Sequence, residues 1–233
     1  MDEEDEAEAR ERARVEALAI DWDAIARALP LGADEEDIVR RNEFFAKWDV
    51  NSNGGLSFTE VDGAMKKLMA GLTPGLVGKG KGALYEWSRS WKPVIMRAFI
   101  KSQNFNAQRK AKAKRNDDYV ERDEFRMLLV CVRLYFEMFI AFSRVDVNVD
   151  RKIDIEEFKN SVPELRKWGI ELAPDQVVAE FEAVDIDHSG AVMFEEFICW
   201  ALEKKLDLED DDDDLAGVYM SEMTGGAAGS VFL

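Results

Sequence analysis

The sequence predicts an all-α protein of two lobes, each assembled from a pair of helix–loop–helix units. Three features predict it. Three polar twelve-residue segments share one order of oxygen-bearing residues, each is flanked on both sides by apolar helical pattern, and the units recur along the chain.

Residues 2–16 are mostly Glu, Asp, Arg and Ala, a composition that favours helix while offering little apolar surface. An amphipathic stretch follows with Val15, Leu18, Ile20, Trp22, Ile25 and Leu29, stopped by Pro30. Residues 1–33 therefore read as an acidic N-terminal helical extension, and the repeat begins after it.

The segment Asp49 to Glu60 carries Asp49, Asn51, Asn53, Gly55, Ser57 and Glu60 at positions 1, 3, 5, 7, 9 and 12. Calcium takes roughly six to eight oxygens at about 2.3–2.6 Å, and this spacing supplies them: side chains at 1, 3 and 5, a carbonyl at 7, a hydroxyl or its water at 9, and a bidentate glutamate at 12. Gly54 permits the sharp turn at position 6, and Leu56 at position 8 is placed for a short strand pairing. Ile38, Phe44, Phe45 and Trp48 precede the loop; Phe58, Val61, Met65 and Leu68 follow it. These are the marks of an EF-hand.

A second loop, Asp146 to Glu157, offers Asp146, Asn148, Asp150, the Lys152 carbonyl, Asp154 and Glu157. Arg151 stands at position 6, where a non-glycine residue at positive φ costs roughly 1 kcal/mol. Magnesium is an alternative ion at such a weaker loop. The third loop, Asp185 to Glu196, offers Asp185, Asp187, Ser189, the Ala191 carbonyl and Glu196, with Gly190 at the turn. Met193 at position 9 has no oxygen to give, so water completes the shell there. His188, the one histidine, lies at a non-ligand position.

Such hands work in pairs, so the first needs a partner. Val120, Glu124 and Phe125 have the right second half, at positions 8, 12 and 13. Counting back puts Ala113 and Arg115 where ligands belong, within a basic run of Arg109, Lys110, Lys112, Lys114 and Arg115. The second hand is read as degenerate, kept for pairing, its loop replaced by a basic insertion. The fold expected is thus all-α, with two EF-hand lobes, four EF-hands in all. The N-terminal lobe covers 34–130 with the basic insertion, the C-terminal lobe covers 131–206, and an acidic linker and tail cover 207–233.

The formal net charge of -17 disfavours nucleic acid and anionic lipid as partners and suits divalent cations or basic protein surfaces. Cys131 and Cys199 sit among apolar residues and read as buried thiols of a reducing compartment. The first residues have neither the apolar core of a signal peptide nor the glycine that myristoylation needs. Met127 to Phe142, interrupted by Arg133 and Glu137, reads as a buried helix rather than a membrane span. Gly78-Lys-Gly80-Lys-Gly82 lacks phosphate-loop spacing, and one histidine leaves no acid–base arrangement, so no enzyme is expected.

Outside the ligands, the sequence resembles the calflagin family of flagellar calcium-binding proteins between about Trp22 and Leu206. The resemblance lies in Arg122 to Met127, Phe158 to Gly169 and Phe194 to Lys205. It implies two EF-hand lobes and a place in the cilium or flagellum. Calflagins are acylated at an N-terminal glycine and cysteine that this chain does not have, so no membrane anchor is expected. The expectation is an axonemal component docked on doublet-microtubule tubulin, with the basic run facing its acidic surface. The alternative is a soluble calcium sensor whose target helix binds a groove, for which Met65, Met69, Met127 and Met138 are candidate lining or plain core.

Overall fold

The computed structural model describes residues 21–73, 91–104 and 118–206. The acidic residues 2–16, Gly78–Gly82, the basic run Arg109–Arg115 and the tail 207–233 lie outside them. The described residues form eight helices and four short strands, and the chain divides into two compact units, Met1–Arg133 and Leu134–Leu233.

In the first unit, α1 (Trp22–Ala28) starts where Asp21 accepts the Ala24 N–H at 2.8 Å. Helix α2 (Glu35–Trp48) is capped by Asp34, which accepts the Asp37 N–H at 2.9 Å, and three acids in its first turn oppose the positive end of the helix dipole. The loop between them is pinned by Arg41, which donates to the carbonyls of Pro30 and Gly32. Strand β1 (Gly55–Ser57) leads into α3 (Phe58–Leu72), whose first turn closes in a capping box between Ser57 and Glu60. Helix α4 (Lys92–Asn104) buries Val94, Ile95, Ala98, Phe99 and Ser102, one face at helical spacing, with Trp91 buried just before its start. Strand β2 (Tyr119–Glu121) pairs antiparallel with β1, setting Leu56 against Val120. Neither side chain is exposed to solvent.

Helix α5 (Phe125–Val145) begins in the first unit, and the boundary between units falls within it. Its first residue, Phe125, meets Phe45 and Trp48 edge-on at 5.4 and 5.2 Å. Every residue from Met127 to Ser143 is buried, including Arg133, whose guanidinium lies 4.5 Å from the Trp22 ring centroid.

The second unit continues through β3 (Lys152–Ile153), α6 (Ile155–Lys167), α7 (Val177–Val184), β4 (Val192–Met193) and α8 (Phe194–Glu203). Strand β3 pairs with β4, and Ile153 opposite Val192 repeats the buried apolar pair of the first unit. Phe142 packs on Phe194 and Phe197, while Phe158 packs on Phe181 and Trp200, all near 5.5 Å. Helix α6 ends at Gly169 with φ +82°, where the Ile170 N–H returns to the Leu165 carbonyl.

The four methionines at helical spacing are core. Met65, Met69, Met127 and Met138 are all buried, because they occupy the faces turned toward neighbouring helices.

Truncating Phe125 removes the ring that joins α5 to the end of α2. Phe125→Ala is expected to cost about 3–5 kcal/mol in urea denaturation, and a loss below about 1 kcal/mol would show that this contact does not hold the unit together.

Candidate metal centre

Each loop lies between two helices and closes on itself through its first and last carboxylates. In the first, Asp49 accepts the N–H groups of Asn53 and Gly54, both at 3.0 Å. Asn51 accepts from Asn53, and Asn53 from Gly55. Glu60 then reaches back: Oε1 accepts the N–H groups of Val50 and Asn51 at 3.1 and 3.4 Å, and Oε2 those of Ser57 and its hydroxyl at 2.9 and 2.7 Å. Burial pushes the Glu60 carboxyl up, but the Ser57 hydroxyl and these N–H groups outweigh it and hold the carboxyl below its ordinary value.

The second loop repeats the ring. Asp146 accepts from Asp150 and Arg151 at 3.1 and 2.9 Å, and Asn148 accepts from Asp150 at 2.8 Å. Glu157 accepts from Val147, Asn148 and Asp154. Two of its carboxylates have other work, however. Asp154 caps α6, taking the N–H groups of Glu156 and Glu157 at 2.8 Å, while Asp150 accepts the Lys152 N–H and lies 3.9 Å from the Lys152 ammonium.

In the third loop, Asp185 accepts from Ser189 and Gly190, and Glu196 from Ile186, Asp187 and Met193. Ser189 also donates its hydroxyl to the Ala191 carbonyl at 2.9 Å. Hydrogen bonds from Ser189 hold the Asp187 carboxyl below its ordinary value. Asp185, Asp187 and Glu196 each offer an oxygen, and these lie within 4.8 Å of one another. Among the described residues this is the one such trio.

All three loops bend through the left-handed region twice. Position 6 is Gly54 (φ +84°), Arg151 (φ +70°) or Gly190 (φ +83°), and position 4 is Ser52 (φ +56°), Val149 (φ +59°) or His188 (φ +54°). The second bend carries Arg151 as the sequence led us to expect; the first places a β-branched valine where only small or polar residues sit easily. Position 4 of each loop was the available signal for it.

The partner of the first hand keeps its exit and pairing strand. Glu124, fully buried, accepts the Glu121 N–H at 2.9 Å, as each terminal glutamate accepts from the residue three before it. Its first helix is α4, which the sequence reading passed over although Trp91, Val94, Ile95, Ala98 and Phe99 announce an apolar helical face.

Loops paired through a short antiparallel bridge, each between two helices, define an EF-hand protein. A family model described as an EF-hand domain pair matches residues 135–202. Flagellar calcium-binding protein TB-17 of Trypanosoma brucei brucei is 33% identical over 194 residues, 83% of this chain and 76% of the relative. TB-24 of the same organism is 33% identical, covering 82% of this chain and 80% of the relative. The flagellar calcium-binding protein of Trypanosoma cruzi is 30% identical, covering 83% and 84%. The chain belongs to the flagellar calcium-binding protein family.

The donor set suits a hard divalent cation: oxygen throughout, with two or more carboxylates per loop and carbonyls at position 7. Asp146 shows the cost of gathering such a set. Its carboxyl is pushed up to about 6 by burial, with Glu157 and Asp150 adding like-charge repulsion against the N–H groups of Arg151 and Asp150.

Two outcomes follow. An Asp titrating near 6 in the fold and near its ordinary value when unfolded contributes stability that is full below about pH 4 and lost as pH rises through 6. In EDTA, Asp146→Asn should therefore gain about 1–2 kcal/mol on the parent protein at pH 7.5 and almost nothing at pH 4; a pH-independent difference in urea titrations would contradict this. Arg151→Gly relieves a positive φ and removes a like charge to the ion, so it should tighten calcium binding at the second loop about five-fold, roughly 1 kcal/mol by calorimetry.

Proposed function

We propose that this chain binds calcium at its three complete loops and serves in the cilium or flagellum as a structural or regulatory component, docked in the axoneme on doublet-microtubule tubulin. The observation that carries the calcium reading is the gathering of Asp185, Asp187 and Glu196 oxygens within 4.8 Å, inside a hydrogen-bonded ring that the other two loops repeat.

The ligands assigned are Asp49, Asn51, Asn53, the Gly55 carbonyl, Ser57 and Glu60 in the first loop. In the second they are Asp146, Asn148, Asp150, the Lys152 carbonyl, Asp154 and Glu157; in the third, Asp185, Asp187, Ser189, the Ala191 carbonyl and Glu196. The bound ion supplies the positive charge that offsets repulsion among these oxygens. The first loop, with only two carboxylates, should bind with modest affinity.

The relatives' names support the flagellar setting. Docking on an acidic protein surface is supported by Arg109, Lys110, Lys112, Lys114 and Arg115, a basic cluster in a chain of net charge -17. That same charge weighs against nucleic acid and anionic lipid. No helix among the described residues is long and apolar enough to cross a membrane. A second reading, a calcium sensor that takes a target helix, is favoured by an apolar groove between α2 and α3, lined by Phe44, Trp48, Leu68 and Leu72.

Calorimetric titration of the metal-free protein should count three calcium ions, and Glu60→Gln, Glu157→Gln and Glu196→Gln should each remove one. For the docking, detergent-stripped axonemes should keep the protein at low salt and release it as salt rises. Complete release at low salt would sink the axonemal reading and leave calcium binding standing.

A further inference from the structure

Outside the third loop, a polar link joins the two helices that frame it. Glu180, on α7, accepts the Trp200 indole N–H at 2.7 Å, and the same oxygen lies 2.6 Å from the Lys204 ammonium. Trp200 is buried on α8, and Lys204 caps the end of that helix. Burial pushes the Glu180 carboxyl up, but Lys204 and Trp200 outweigh it and hold the carboxyl below its ordinary value. Beneath the link, Phe158 packs on both Phe181 and Trp200, at 5.6 and 5.5 Å. Lys204 is placed in turn by the end of α8, where Lys205 bends at φ +55° and the Leu206 N–H returns to the Ala201 carbonyl.

Each end of the link lies about one helical turn from an assigned ligand. Asp185 follows Glu180 along the chain and caps α7, while Glu196 precedes Trp200 in the first turn of α8. The oxygens of Asp185, Asp187 and Glu196 lie within 4.8 Å of one another. That spread fits ligands on opposite sides of one calcium, each at about 2.3–2.6 Å. The second loop has Asp146, Asp150, Asp154 and Glu157, yet among the described residues these form no such trio.

The link is peculiar to this hand. Counted from the first ligand, the positions of Glu180, Trp200 and Lys204 hold Phe44, Ala64 and Leu68 in the first hand. In the hand of the second loop they hold Ala141, Ser161 and Leu165. Neither set carries a charge, and in the first hand those three residues line the open groove.

We propose that Glu180 is a positioning residue for the third loop: by locking α7 to α8 it fixes Asp185 against Glu196, so the loop takes its cation without its helices parting. The inference rests on the reading above that this loop binds calcium. Helices ordered before the ion arrives need not be ordered at its expense, and the saving appears as affinity.

The test uses the full chain carrying Glu60→Gln and Glu157→Gln, so that the third loop alone loads calcium. By calorimetry, Glu180→Ala should weaken calcium binding about ten-fold, the scale of one charge-assisted hydrogen bond. Glu180→Gln keeps an oxygen for the indole and should lose under about three-fold, the scale of a part-exposed ion pair. Trp200→Phe keeps a ring against Phe158 without the donor. It should weaken binding about five-fold, and joined to Glu180→Ala it should add less than about two-fold more. Independent structural losses would multiply instead. Trp200→Phe carries the comparison if Glu180→Ala loses helix by circular dichroism.

A second readout needs no metal. The Trp200 indole N–H, identified in NMR spectra by its loss in Trp200→Phe, should exchange with solvent equally slowly in EDTA and in calcium. In Glu180→Ala it should exchange about ten-fold faster. Unchanged or tighter calcium binding in Glu180→Ala overturns the proposal and leaves calcium binding standing. So does faster indole exchange when calcium is added to the chain with Glu180 intact, the sign of helices parting. A third loop that binds no calcium with Glu180 intact overturns the calcium reading, and this proposal with it.

Discussion

A single glutamate in each loop ties together the parts of its hand. Oε1 of Glu60, Glu157 and Glu196 takes the N–H groups of the second and third loop residues, and Oε2 takes that of the ninth. The same residue is the third of the outgoing helix, where it completes the capping of that helix's first turn. Helix start and loop closure therefore depend on one carboxylate. A hand that kept its loop and lost this residue would lose the joint between the two.

The degenerate hand makes the same point by what it keeps. Glu124 holds the N–H of Glu121, Val120 faces Leu56 across the bridge, and Phe125 enters the apolar cluster of Phe45 and Trp48. A strand of three residues has no stability by itself, so β1 needs β2 whether or not the degenerate hand holds an ion.

Against this stand the strains of the loops. Six residues adopt positive φ so that N–H groups turn inward to the first aspartate, and Val149 and Arg151 do so against their side chains. Burial and neighbouring carboxylates lift Asp146 to about 6. The second loop thus carries both backbone strain and charge repulsion, terms that a bound cation is well placed to offset. Its nominal carboxylate count overstates its field, since Asp154 serves as a helix cap and Asp150 sits against Lys152.

Much of this was legible in the residues alone because ligand spacing, turn glycines and the terminal glutamate are local: they are read within twelve positions. The three loops, the pairing role of Val120 and Glu124, and the burial of Met127 to Phe142 follow from such short-range rules. What tertiary structure decided is how those pieces share their atoms and faces. The direction in which Asp150 and Asp154 turn and the valine at positive φ are set by the folded loop backbone, and the role of α4 as the missing partner helix arises from packing between helices. Sequence spacing states which oxygens are available; only the folded backbone determines where each one points.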